Sequence, residues 1–401
     1  MKITFLMPCY MWVPSGGFRV VYEYANRMVT RGHEVTVVHP RRLKFPRPPS
    51  PMTLRGRVRV ARFWIRERIS KPIVDWHPID PRVNMSYVPD SGADYIPDAD
   101  VLFATGWDTV ASVLACPEIK GEKCYLIQGY EALMEMGPKE LVDATWRAPL
   151  HKVVIARWLM NLGESLGCSN LTYIPNGIDQ RYRMTRPFNR RLKRVVMMCS
   201  FVRFKGSPDG IRALEIVKEQ IPDLDVRLFG NSRRPPWVPA WMRYSENPPQ
   251  GELIEDIYNT SSIFLGPSLT EGFPLPPAEA AACGCAIVAT DIGGHTEYLE
   301  HEVTALLCPP KNPEELARNL CRLLNDDELR IRLATAANKN IAQFTWERSA
   351  DLFEALLKRA KSEQTLPSDA GLTTLAIDTV RDGAASRAQG AAAISRTAGP
   401  A

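Results

Sequence analysis

Ile3-Thr4-Phe5-Leu6-Met7, then Val20 to Arg31, then Val35-Thr36-Val37-Val38-His39 are the segments that decide the fold. The first and third are short apolar runs and the second has helical periodicity, which together predict a βαβ unit. Gly32 stands where a helix C-cap belongs, so Arg31-Gly32-His33-Glu34-Val35 reads as the turn from helix to strand. Further strands are expected at Val101–Ala104, Tyr125–Gln128, Val153–Ala156 and Leu171–Ile174, a series that predicts a parallel, doubly wound sheet. Pro175-Asn176-Gly177-Ile178-Asp179 and the polar stretch Gln180–Arg194 mark a boundary near residues 180 to 192. A second α/β series follows, with strands at Val195–Cys199, Asp225–Phe229, Ser262–Leu265 and Ala286–Ala289. Its helices are expected at Pro208–Gln220, Glu252–Asn259 and Pro313–Leu324, and a helix from Trp346 to Lys361 would close the fold.

The composition agrees with two globular domains: 401 residues, 45% hydrophobic and 24% charged, exceed one ordinary core and are too apolar for general disorder. Nine cysteines show no metal-like pairing, and the Cys283-Gly284-Cys285 spacing suits packing, so a reducing, cytoplasmic setting is expected. The opening Met1–Tyr10 reads as a strand rather than a secretory signal, and no apolar run reaches the ~20 residues of a membrane span.

In open α/β sheets ligands gather at the carboxyl ends of strands, where helix N-termini favour anions. Two loops have that position. Pro14-Ser15-Gly16-Gly17-Phe18 follows the first strand, and its paired glycines suit either close approach to a phosphate or a tight turn into a helix. Gly266-Pro267-Ser268-Leu269-Thr270-Glu271-Gly272-Phe273-Pro274-Leu275-Pro276-Pro277-Ala278-Glu279 follows the strand Ser262–Leu265. Pro276 and Pro277 open a helix there, leaving Glu271 on the loop and Glu279 near the helix start, both over one crevice. Such a carboxylate pair suits the vicinal hydroxyls of a ribose or hexose; the plainer alternative is a helix-dipole partner and a solvated loop residue.

The run from Ser268 to Thr290 resembles the Glu-x7-Glu signature of retaining GT-B glycosyltransferases (glycosyltransferase family four, group-one type). The likeness extends to Gly16-Gly17, Gly32-His33-Glu34-Val35, Pro175–Asp179, Lys205-Gly206, Asp291-Ile292-Gly293-Gly294 and Phe344-Thr345-Trp346-Glu347. It implies two Rossmann-like domains facing across a cleft: an acceptor domain at 1–180 and a nucleotide-sugar donor domain at 192–345. It also implies that Glu279 binds the ribose hydroxyls, and that Glu271 with the Gly272, Phe273, Pro274 and Leu275 segment meets the transferred sugar. Lys205 matches the diphosphate-binding lysine, whose charge would offset the leaving nucleotide. Gly16 and Gly17 would add backbone donors.

One departure is Ser200, where an arginine is usual; Arg203, two residues before Lys205, is the candidate replacement, with surface charge as the alternative. Another is Gln128-Gly129-Tyr130-Glu131, which carries no histidine where many relatives have one near the donor sugar. Gln128, Tyr130 and Glu131 are therefore candidate sugar or acceptor contacts, with packing the alternative for Tyr130. His33 reads as structural and His295 as a satisfied helix-start residue. Asp98-Ala99-Asp100 precedes its strand, the wrong end for a metal–diphosphate site, so neither metal nor cofactor is expected.

The expected activity is retaining, metal-independent transfer of a sugar from a nucleotide-diphosphate sugar to a glycan, lipid-linked or small-molecule acceptor. A GT-B epimerase or hydrolase, or an inactive sugar-nucleotide-binding protein, is the alternative. Arg41 to Lys71 carries eleven Arg or Lys against Glu67 alone, interleaved with Phe63, Trp64 and Ile65. It reads either as a surface for an anionic membrane face or acidic acceptor, or as a solvated basic loop and helix. Nucleic acid is not expected, since no nucleic-acid module accompanies the charge. Residues 362–401 turn to Ala, Gly, Ser and Thr and are expected to form a mobile tail.

Overall fold

The computed structural model describes residues 1–45, 74–188 and 193–363. Most of the basic segment and residues 364–401 therefore lie outside the described residues, as does the 189–192 part of the boundary stretch. The first domain is built on β1 (Lys2–Leu6), α1 (Gly16–Thr30), β2 (Glu34–Arg42), β3 (Asn84–Asp90), β4 (Val101–Ala104), α2 (Trp107–Leu114) and β5 (Glu122–Ile127). It continues with α3 (Lys139–Arg147), β6 (His151–Val154), α4 (Arg157–Ser165) and β7 (Leu171–Tyr173). The seven strands are ordered β3-β2-β1-β4-β5-β6-β7, each neighbouring pair parallel.

The second domain comprises β8 (Arg194–Met198), α5 (Ser207–Gln220), β9 (Asp225–Gly230), β10 (Arg243–Glu246), α6 (Gln250–Glu252), β11 (Ile263–Gly266) and α7 (Leu275–Ala282). Then come β12 (Ala286–Thr290), α8 (Gly293–Thr296), β13 (Leu306–Cys308), α9 (Pro313–Asn325) and α10 (Asp327–Ile341). Its six-stranded parallel sheet runs β10-β9-β8-β11-β12-β13. In both sheets the chain starts at an inner strand, moves to one edge and returns to build the other. The order therefore reverses beside β1 and beside β8, which sets the crevice at the carboxyl ends of these strands.

Several expected boundaries shift. The first helix begins at Gly16 rather than Val20, because the glycine pair enters the helix instead of preceding it. The helix expected at Glu252–Asn259 is α6 followed by a π-helical turn, Leu253–Tyr258, that turns Ile254, Ile257 and Tyr258 inward. Strands β3, β10 and β13 were not expected from the apolar pattern. Cys283 and Cys285 are fully buried, in keeping with the packing reading.

The last helix among the described residues, α11 (Trp346–Glu363), returns to the first domain. Phe353 stacks on Tyr24 at 4.3 Å between ring centroids, on Phe103 at 5.1 Å and on Phe5 at 6.1 Å. Arg31 at the end of α1 reaches Asp351 at 2.7 Å and Glu354 at 3.0 Å on α11. The chain thus crosses between domains twice, and the crossings touch: Ile178 bridges Thr345, and Ile178 N donates to Phe344 O. A Cβ at Gly177 would lie 2.1 Å from Trp346 N, so only glycine admits this approach.

Candidate active site

Lys205 closes a 3₁₀ turn, Arg203–Lys205, between β8 and α5, and Gly206 follows in the left-handed region at φ 62°. A Cβ at Gly206 would sit 1.9 Å from Pro267 O, so glycine is what lets the turn lie against the loop after β11. That approach brings Lys205 Nζ to Glu271 Oε1 at 2.6 Å, and Ser268 Oγ donates to the same oxygen at 3.0 Å. Glu271 is 8% exposed, so it is not a solvated loop residue. The pair borders a water-sized cavity of about 20 Å³ lined also by Ser268, Pro274 and His295.

His295 is only half satisfied, which corrects the sequence expectation. Its Nδ1 pairs with Thr290 O at 2.7 Å, while the buried Nε2 has no partner. A carbonyl can only accept, so Nδ1 carries the proton, and burial pushes the imidazole down to about 4, leaving it neutral.

Glu279 sits in α7, 3% exposed. Oε1 accepts from Arg19 Nη1 at 2.5 Å and Oε2 from Tyr258 OH at 3.3 Å. Arg19 belongs to the first turn of α1, so this bond spans the cleft. Tyr182, on the connection between domains, accepts from Gln250 Nε2 at 3.3 Å and lies under the Arg19 guanidinium at 5.4 Å. No sequence signal pointed to Arg19, since its partner lies 260 residues away.

The other candidates separate into those at the crevice and those outside it. Gly16 and Gly17 begin α1, whose first-turn amides have no intrahelical acceptor. Gln128 Nε2 donates to Gly17 O at 3.0 Å, and Gln128 O lies against Gly272, which holds the two domains in contact at the crevice. Trp158 Nε1 donates to Gly272 O at 3.0 Å, and Tyr298 OH to Pro274 O at 2.6 Å. Phe273 packs inward against Tyr298 and Phe344, and Leu275 is buried, so these side chains anchor the loop. Ser200 closes its own turn, with N donating to Ser207 Oγ and Oγ accepting from Val202 N.

Arg203 is turned outward: its side chain is 81% exposed and pairs with Glu135 at 3.4 Å. It is not brought to Lys205 and Glu271, because the 3₁₀ turn points alternate side chains apart. Tyr130 is buried and donates to Asp143 at 2.5 Å, edge-on to Trp146, a packing role. Glu131 accepts from Trp107 N and from Tyr125 OH, each at 3.4 Å, and burial raises its carboxyl to about 7. Asp100 accepts from Lys2 N and Asp98 pairs with Lys120, both at the far end of the sheet from the crevice. Among the described residues no cluster of His, Cys, Asp and Glu suits a metal ion, and no helix is long and apolar enough to cross a membrane.

The two facing doubly wound domains, with the crevice between them, define the GT-B architecture. Two solved structures share it over most of the chain. Sucrose-phosphate synthase from Thermosynechococcus elongatus aligns with TM-score 0.68 and 16% identity, covering 90% of this chain and 99% of that one. Anabaena HepE in complex with UDP-glucose aligns with TM-score 0.67 and 15% identity, covering 89% and 100%. Residues 180–340 match the family model described as glycosyl transferases group 1, so the second domain is a group 1 glycosyl transferase domain. Among curated relatives, a D-inositol 3-phosphate glycosyltransferase of Nocardiopsis dassonvillei is 30% identical over 182 residues, 41% of this chain and 42% of that protein. One of Thermobispora bispora is 26% identical over 267 residues, 59% of this chain and 61% of that protein. The chain therefore spans only part of the length of the curated relatives it matches.

Proposed function

We propose that this protein is a retaining glycosyltransferase that moves a sugar from a nucleotide-diphosphate sugar to a hydroxyl acceptor without a metal ion. The observation that carries the reading is the placement of Glu279, Glu271 and Lys205 along one interdomain crevice inside a group 1 glycosyl transferase domain. Glu279 accepts hydrogen bonds from the ribose hydroxyls. Glu271 and the adjoining loop backbone hold the transferred sugar, and Lys205 together with the α1 N-terminus faces the diphosphate.

In this mechanism the carboxylates orient the donor and the cations meet charge that grows on the leaving diphosphate as the glycosidic bond lengthens. Each preorganised donor of this kind contributes on the order of 3 kcal/mol in a water-excluded site. Attack comes from the same face as departure, with the acceptor proton passing to the leaving oxygen. Uridine diphosphate sugars are the first donors to try, because UDP-glucose occupies the similarly folded HepE. A phosphorylated polyol is the first acceptor, from the names of the relatives. A lipid-linked acceptor at an inner membrane face is the second, from the basic run at 41–71.

Purified protein is screened for thermal stabilisation by UDP, GDP and ADP and their sugars, in EDTA and in magnesium. Base-selective stabilisation in EDTA supports the reading. Stabilisation only with magnesium removes metal independence, and none by any nucleotide removes the donor site. Anomeric configuration of the product, read by proton NMR, tests retention; an inverted product excludes it.

A further inference from the structure

Arg19 has a place in the crevice that the reading above does not use. It lies two residues after Gly17, on the first turn of α1, the helix whose N-terminal amides are assigned to the diphosphate in the proposed function. Its guanidinium is 17% exposed and bonds a carboxylate 4% exposed, Glu279, at 2.5 Å across the domain interface. It also stacks over Tyr182. A guanidinium presents N–H donors to a carboxylate much as the two hydroxyls of a ribose do. The bond therefore occupies the acceptor that a ribose would need.

The charges around the crevice sharpen the point. Lys205 is committed to Glu271 at 2.6 Å, so the two leave little net charge. Arg203 faces outward to Glu135. A nucleoside diphosphate carries two or more negative charges, and a dry cleft must offset them. When ribose hydroxyls take over Glu279, the guanidinium of Arg19 becomes a buried cation with no full partner. The other carboxylates around Arg19 are committed elsewhere: Glu23, 3.9 Å away, bonds Arg27 at 2.5 Å, and Asp179, which also feels the Arg19 charge, is held by Arg181 at 2.5 Å.

We propose that Arg19 is a donor-binding residue that exchanges partners: it holds the ribose position on Glu279 in the empty cleft and turns to the diphosphate when donor enters. The assignment rests on the donor-site reading above. It makes nucleoside and diphosphate recognition respond differently to one side chain.

The test is calorimetric titration of the full chain with whichever of UDP, GDP and ADP binds, and with the matching nucleoside. In Arg19→Ala, the affinity advantage of diphosphate over nucleoside falls tenfold or more, while nucleoside affinity is kept or improves because a competitor for Glu279 is gone. Arg19→Lys retains part of the advantage. Glu279→Gln shows the opposite pattern, weakening both ligands alike. Equal weakening of nucleoside and diphosphate by Arg19→Ala, with Arg19→Lys the same, assigns Arg19 to holding the interface and overturns the proposal; so does an unchanged advantage. If the native protein binds no nucleotide, the donor site itself falls, and this assignment with it.

Discussion

Lys205 Nζ donates to Glu271 Oε1 at 2.6 Å, joining the turn after β8 to the loop after β11 inside the crevice. Removing one partner of such a pair leaves the other charge under-compensated, whereas removing both charges costs less. On the proposed mechanism Lys205→Ala lowers kcat by about 100-fold or more, since the donor assigned to the leaving group is lost. It should also lower Tm more than the double variant Lys205→Ala with Glu271→Gln. Differential scanning calorimetry and steady-state kinetics on the same preparations check both statements. A single variant as stable as the double one would show that the pair is not what holds the two loops.

Glu279 has no counter-charge on its own helix; its partners are Arg19 and Tyr258. Glu279→Ala removes the proposed ribose acceptor and frees the cross-cleft cation. Nucleotide affinity is expected to fall by at least tenfold, about 1.4 kcal/mol, with the domains less tightly held. Small-angle scattering of the ligand-free variant should give a larger radius of gyration than the native chain. Native-like scattering with native-like affinity would sink the assignment of this carboxylate.

Acid stability follows from three buried histidines. Burial pushes His39, His77 and His295 down to about 4, so the fold keeps them neutral while the unfolded chain protonates them below about 6.5. Stability from each is complete above that value and is lost as pH falls toward 4. Glu131 opposes them, because its raised carboxyl takes up a proton in the folded state near pH 7, before it does so in the unfolded chain. Three against one leaves a net loss on acidification, about 1.4 kcal/mol per pH unit for each excess proton bound by the unfolded chain. Urea unfolding at pH 7.5 and pH 5.0 should show a clearly lower midpoint at pH 5.0, and equal midpoints would contradict it.

Phe353 is fully buried among Tyr24, Phe5 and Phe103. Phe353→Ala is expected to destabilise by about 3–5 kcal/mol through lost burial and the cavity left behind. The loss should fall on the first domain although the residue is near the end of the described chain. Hydrogen exchange that is faster in β1 and β4 of the variant would locate it there; acceleration confined to α9 and α10 would refute the assignment.

The doubly wound plan was legible because inner parallel strands, buried on both faces, read as unbroken apolar runs such as Phe5-Leu6 and Val101–Ala104. Strands β3 and β10 escaped because they are sheet edges: Asn84–Asp90 and Arg243–Glu246 are half-exposed and polar, and pair on one side only. β13 is a three-residue edge strand cut off at once by Pro309 and Pro310. Glu271, Glu279 and Lys205 were legible because they lie in local motifs. Arg19 was not, because its significance comes from a partner on the other domain. His295 was visible as a residue, yet its orphaned nitrogen depends on how α8 lies under the Glu271 loop.

The return of α11 to the first domain has a consequence for how the protein is made. On a ribosome the segments of the first sheet emerge first, but Phe353 leaves the exit tunnel only after the whole second domain has been synthesised. Until then the hollow beside Tyr24, Phe5 and Phe103 faces water and the first crossing, at Ile178, has no Thr345 to meet. The second domain can finish folding while the first waits, so the earliest part of the chain to be translated is the last to reach its final packing.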